Sequence, residues 1–202
     1  LNAVVTPTTT SFNDGSSFVL QTQTATETVR VGMLQAWGGA ITEVSLNGVD
    51  YVNNDDPGRQ IQTSLWDDNA DYISSWGYNP IEAGDQFFDG SPVLKSALLP
   101  DGSIYIKTRP IQWAPDNFGG GSGNPVLGDA YIEKWVSVVP GFNRAFKVHY
   151  KITHFGSDIH ANKYQELPVM YVNPNVPNFY YYGGTQPWSN GPCRAFRTIR
   201  EP

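Results

Sequence analysis

The chain has 202 residues and a formal net charge of −6, with 40% hydrophobic, 13% aromatic and 16% charged residues. Charged content so far below the usual ~25% leaves a surface of Ser, Thr, Asn, Gln and Gly. The negative balance argues against a nucleic-acid or anionic-membrane partner, and against a polyanionic substrate unless a few focused cations hold it.

The length suits one large all-β domain, and no apolar run reaches the ~20 residues that span a membrane. Cys193 has no second cysteine to pair with, so it reads as a buried or incidental thiol. The chain opens at Leu1 and carries no Asn-x-Ser/Thr sequon. An opening without Met or leader fits a mature, secreted chain whose signal peptide was removed, or a sequence that starts downstream of one.

Residues 1–17, rich in Thr, Ser and Asn, are expected to form a solvated N-terminal arm, and 18–202 a single β-sandwich domain, incomplete at its C-terminal end if the chain was cut there. Phe18 and Leu20, then Val29 and Val31, alternate with polar residues and predict two strands. Asn47-Gly48 between Ala40–Leu46 and Val49–Val52 is the strongest short hairpin signal, because a type I′ turn needs positive φ at both central residues. Gln60–Trp66 alternates, with Ile61, Thr63 and Leu65 on one face and Gln60, Gln62, Ser64 and Trp66 forming a polar wall on the other. Asp67–Trp76 reads as an acidic loop leading into Trp76–Asp89, where Gly and Pro break any regular element.

Pro100-Asp101-Gly102 turns a second hairpin, Val93–Leu99 with Ser103–Arg109. Pro115–Pro125 is a flexible rim or lid loop. Ala130–Val139 and Arg144–His154 make a third hairpin, whose second arm sets Phe146, Val148, Tyr150, Ile152 and His154 against Lys147, His149, Lys151 and Thr153. Tyr164–Val172 is a further strand, after which the chain turns loop-like and aromatic, with no clear strand at Cys193–Pro202. No stretch sustains helical periodicity. The expected fold is all-β, an antiparallel sandwich or supersandwich without substantial helix.

Gly38–Gly48, G-G-A-I-T-E-V-S-L-N-G, is similar to the opening hairpin of galactose-mutarotase-like proteins, whose fold is a β-supersandwich. G-R-Q-I-Q (58–62), Y-N-P-I-E-A-G-D (78–85) and Q-E-L-P-V-M-Y (165–171) resemble a family of secreted bacterial proteins associated with that fold. The resemblance covers about residues 38–190. It implies a carbohydrate ligand, handled by epimerisation, hydrolysis, lysis or binding alone. An epimerase would carry an Asn-His-x-Tyr-Phe type segment, which His154-Phe155 and His160 match only in part.

The site chemistry follows from residue types. Ring faces stack on the C–H face of a pyranose while amides, carboxylates and Arg bond its hydroxyls. Arg59, Gln60, Gln62, Trp76, Tyr78, Asn79, Asp85, Gln165, Tyr171 and Trp188 are the expected substrate-binding residues. Arg59 either clamps a uronate carboxylate or bridges to Asp55 or Asp56. Glycosidases work with two carboxylates across the scissile bond, and Glu82 with Glu166 is the favoured pair, with His160 as an alternative acid–base group. The plainer reading has Glu82 capping a turn, Asp85 solvated and His154 in the core.

Asp67, Asn69 and Asp71 have the one-three-five spacing of a Ca²⁺ loop but lack the following Gly and the bidentate Glu, so a polar surface loop is preferred and no cofactor is expected. The function so predicted is a secreted protein acting on glycosidic bonds of a polysaccharide or oligosaccharide, as hydrolase or lyase. A non-catalytic carbohydrate-binding or cell-surface module is the first alternative, and an aldose-epimerase-like isomerase the second.

Overall fold

In the Asn47-Gly48 turn both residues take positive φ, +51° and +81°, which twists the flanking strands into register. The computed structural model containing this turn describes residues 7–67, 77–157, 163–176, 178–182 and 192–197. In chain order the strands are β1 (Thr8–Asn13), β2 (Ser17–Gln23), β3 (Thr28–Leu34), β4 (Ala40–Leu46), β5 (Val49–Asp50), β6 (Ile61–Asp67), β7 (Pro80–Ile81) and β8 (Val93–Leu98). They continue with β9 (Ile104–Thr108), β10 (Ile111–Gln112), β11 (Ala130–Val138), β12 (Phe146–His154), β13 (Lys163–Met170), β14 (Asn178–Tyr182) and β15 (Cys193–Arg197). Among the described residues, the only helical segments are two 3₁₀ turns, Gln35–Trp37 and Pro115–Phe118.

All strand pairs are antiparallel, and the fold is an all-β sandwich. The larger sheet runs β1-β2-β3-β4-β6-β7-β10, with β5 added to β4 and β13 to β6; the smaller runs β12-β11-β9-β8. Phe18, Leu20, Val31, Met33, Ile41 and Ile61 from the larger sheet pack on Ile104, Ile106 and Val136 from the smaller. The alternation in β9 and β11 puts Ile104, Ile106, Ile132, Lys134 and Val136 inward.

Four expectations change. Thr8–Asn13 is no arm but an edge strand in full register with β2, because its β-branched Thr run favours extended backbone and tolerates a solvated edge. Phe179–Tyr182 and Cys193–Arg197, read as loop and tail, pair as β14 and β15. Cys193 is exposed, which removes the buried half of its reading and leaves the incidental one. His154 lies outside the core, where its Nε2 meets Asp129 Oδ2 at 2.8 Å.

Candidate functional site

A cleft of about 610 Å³ opens on the outer face of the larger sheet. Three chain segments build it. The turn at Asp56–Arg59 forms one side, Asn79 and Ile81 of the β7 region the floor, and Glu166 and Tyr171 of the β13 region the opposite side. Ser64 and Trp66 project from β6 between them, and the Trp113 ring stands beside Gly58, whose missing Cβ would lie 3.2 Å from it. Pairing brings the segments together: Glu166 lies opposite Ser64, Ser64 opposite Ile81, and Trp113 N–H donates to Asn79 O at 2.8 Å.

Within the cleft, Arg59 Nε donates to Asp56 Oδ2 at 2.8 Å, and Gly58 N–H donates to Asp56 Oδ1 at 2.8 Å. The Asp56 carboxylate holds the Arg59 guanidinium above its usual range and fixes its position at the rim. Burial and then the Glu166 carboxylate push the Tyr171 phenol up, against the opposing pull of Arg59. Tyr171 therefore remains a neutral hydrogen-bonding hydroxyl at ordinary pH. Ser64 Oγ donates to Asn79 Oδ1 at 3.2 Å. The site offers three rings (Trp66, Trp113, Tyr171), two carboxylates (Asp56, Glu166), one guanidinium and an amide.

Of the residues expected from the sequence, Arg59, Asn79, Glu166 and Tyr171 line this cleft. Gln60 and Gln62 do not. They share the outer face with Ser64 and Trp66, but the 56–58 turn folds over them and both are fully buried. Gln60 Nε2 donates to Asp56 O at 2.7 Å, Gln62 Nε2 donates to Pro57 O at 2.8 Å, and Gln62 Oε1 accepts from Ala83 N–H at 2.8 Å. These amides hold the wall of the cleft from behind. Asp85 is also buried; its Oδ1 accepts from Phe87 and Asp89 N–H at 2.8 and 3.0 Å, so it closes a tight turn. Burial first, and neighbouring Asp89 last, raise its pKa over the opposing turn bonds. Tyr78 is buried and donates its hydroxyl to Asp129 Oδ1.

Glu82, the favoured catalytic carboxylate, lies between the two sheets at 1% exposure. Its Oε1 is paired with Lys134 Nζ, equally buried, and its Oε2 accepts from Thr63 N–H at 2.9 Å and Thr63 Oγ1 at 3.3 Å. Burial drives the Lys134 pKa down, opposed by Glu82. The Tyr150 hydroxyl is buried without a hydrogen-bond partner among the described residues, and burial together with the Glu82 charge raises its pKa well above the usual phenol value. A carboxylate so enclosed is closed to substrate, and Glu82 is a structural residue. Gly38 makes room for it: at φ +58° it passes so close that a Cβ would sit 2.0 Å from Glu82 O.

His160, Trp76 and Trp188 lie outside the described residues, as do Asn69 and Asp71 of the Ca²⁺ spacing and the Gln165 side chain. Asp67, the remaining member of that spacing, is fully buried at the end of β6. Among the described residues no group of three or more His, Cys, Asp or Glu is gathered to hold a metal ion.

Sequence reasoning missed Asp56, Ile81 and Trp113 as cleft residues, and left Ser64 and Trp66 as mere wall. The β6 alternation held the signal for the last two. Trp113 follows the two-residue strand β10, which is too short to carry a period.

No family model and no curated protein matches the chain. The crystal structure of 4-alpha-glucanotransferase from Thermococcus litoralis is similar to it at a TM-score of 0.39 and 13% identity, over 73% of this chain and 24% of that one. The chain thus spans about a quarter of that protein's length, and a likeness of this size says nothing of the reaction. No helix among the described residues is long and apolar enough to cross a membrane.

Proposed function

We propose that this is a carbohydrate-binding protein whose cleft takes a segment of a polysaccharide. The observation that carries the reading is the convergence of Trp66, Trp113 and Tyr171 with Arg59, Asn79 and Glu166 around one open space. Rings cover the apolar face of a sugar, and the polar groups meet its hydroxyls at fixed positions. The resemblance of residues 38–48 to galactose-mutarotase-like proteins, and of 58–62, 78–85 and 165–171 to secreted proteins associated with that fold, supports the same ligand class.

A second reading, cleavage of a glycosidic bond, is favoured by one observation: Glu166 is a solvent-exposed carboxylate in the same cleft as Asp56. There Glu166 exchanges the proton, and Asp56, ion-paired with Arg59, is the second carboxylate.

The test is affinity electrophoresis against a panel of neutral and acidic polysaccharides, with reducing-end release measured in parallel. Trp113→Ala should weaken binding about three- to tenfold, the usual worth of a ring contact. Wild-type protein that no polysaccharide retards, or a Trp113→Ala variant that binds unchanged, would overturn the proposal. Reducing ends released by wild type but not by Glu166→Gln, with binding kept, would establish the second reading.

A further inference from the structure

The net charge of −6 hides a segregated distribution. Every lysine except Lys134 and Lys163 projects from the outer face of the smaller sheet, on the side of the sandwich away from the cleft. Strand register orders them. Lys95 pairs with Lys107, Lys107 with Glu133, and Glu133 with Lys151, so one row across β8, β9, β11 and β12 reads Lys–Lys–Glu–Lys. Directly opposed residues of antiparallel strands share a face, which puts the whole row on one side. Lys147, opposite Ser137, lies two rows further along the same face.

The next row along the strands is aromatic. Tyr105 pairs with Trp135 and Trp135 with His149. Their ring centroids are 5.1 and 5.3 Å apart, one ring per strand. The two rows are two residues apart along the strands, which is about 7 Å. A strip of rings therefore runs across the sheet with a parallel strip of cations beside it. Glu133, the row's one carboxylate, accepts from Tyr105 Oη at 2.7 Å and pairs with Lys151 at 3.3 Å; these bonds, with Lys107 nearby, hold its pKa down. Lys95, Lys107 and Lys147 are left with no carboxylate partner of their own among the described residues. The Lys107 ammonium stands 4.1 Å over the Tyr131 ring, at the edge of the strip.

We infer that this face is a second binding surface, and that it takes an acidic polysaccharide chain lying across the strands. Sugar rings stack on Tyr105, Trp135 and His149, and uronate carboxylates reach the lysine row to one side. A neutral glucan would use the rings but leave the cations without a partner. A single-stranded nucleic acid also presents rings and anions, so it stands as the competing ligand in the test. The surface is independent of the cleft, so either can fail alone.

The experiment uses the whole chain in affinity electrophoresis through gels containing polygalacturonate, fully methyl-esterified polygalacturonate or amylose, with poly(dT) as competitor. Wild type should be retarded by polygalacturonate, much less by the esterified polymer, and progressively less as salt rises. Lys107→Ala/Lys151→Ala should bind roughly tenfold more weakly, as expected for two exposed charge contacts. Trp135→Ala should also lose binding. If it proves poorly folded, Tyr105→Phe/His149→Ala serves in its place. Lys107→Ala/Lys151→Ala should keep the retardation that Trp113→Ala reduces on the polysaccharide held by the cleft, which separates this surface from the cleft. Equal retardation by the esterified and free-acid polymers, unaltered binding in the double-lysine variant, or binding to poly(dT) alone would each overturn the inference.

Discussion

Replacing Glu82 by Gln removes a charge from a site with 1% exposure on both partners and leaves Lys134 facing an amide. Breaking a buried ion pair from one side costs about 3–5 kcal/mol, because the remaining charge has lost its compensation but is still out of water. At about 2–4 °C per kcal/mol for a domain of this size, the melting temperature should fall by roughly 6–20 °C. Lys134→Met should cost a similar amount by stranding the carboxylate. The Glu82→Gln/Lys134→Met double variant should recover most of the loss. Gln keeps an acceptor for Thr63 N–H, and the Met stem fills the apolar path of the lysine. Denaturant unfolding of the four proteins gives the coupling free energy directly. Additive single-variant effects, or a Glu82→Gln protein as stable as wild type, would refute a buried pair that ties the sheets together. The same measurement guards the functional tests, since a Glu82 variant that loses activity by unfolding would mimic a catalytic residue.

Gly38→Ala should lose at least about 2 kcal/mol, since Ala at φ +58° is strained and its Cβ would overlap the Glu82 carbonyl; thermal melts check this. Gln62→Ala leaves Ala83 N–H and Pro57 O without partners at a cost of about 1–3 kcal/mol, and should weaken polysaccharide retardation because the cleft wall loosens. For pH, burial tends to raise the Asp129 pKa, but the bonds from Tyr78 and His154 outweigh it and hold the carboxyl below its ordinary value of about 3.9. The folded state then binds fewer protons than the unfolded one. That stability is complete above the ordinary value and is lost as pH falls through the lower folded one. Melting temperature should drop steeply below about pH 4, less so in Asp129→Asn, and an equal acid slope in both proteins would contradict the assignment.

The sequence made the sheets legible where chemistry was local. Asn47-Gly48, Pro100-Asp101-Gly102 and the loop at Pro140–Asn143 specify turns by backbone φ, and all three hairpins form about them. It also placed Arg59, Asn79, Glu166 and Tyr171 in one site, because amides and rings in loops beside a strand of alternating polarity mark an exposed face. It erred where the outcome hung on a third element. Gln60 and Gln62 face outward on β6 as their period requires, yet the turn before them covers that face. No periodicity in β6 encodes the turn's position.

Glu82 is the sharper case. A carboxylate in a Gly- and Pro-rich loop reads as exposed, and only Lys134, 52 residues on, makes its burial tolerable. That lysine was itself visible as an anomaly, since it shares an inward face with Ile132 and Val136 in β11. A charged residue on an apolar face needs a buried partner, and an antiparallel sandwich offers one only from the opposing sheet. Paired with Lys134, Glu82 moves from the candidate chemistry to the frame that joins the layers. The carboxylates left in the cleft are then Asp56 and Glu166, while Lys95, Lys107, Lys147 and Lys151 stand on the opposite surface. Because the cleft and the lysine face lie on opposite sides of this joined frame and share no residue, changes at one should add to changes at the other.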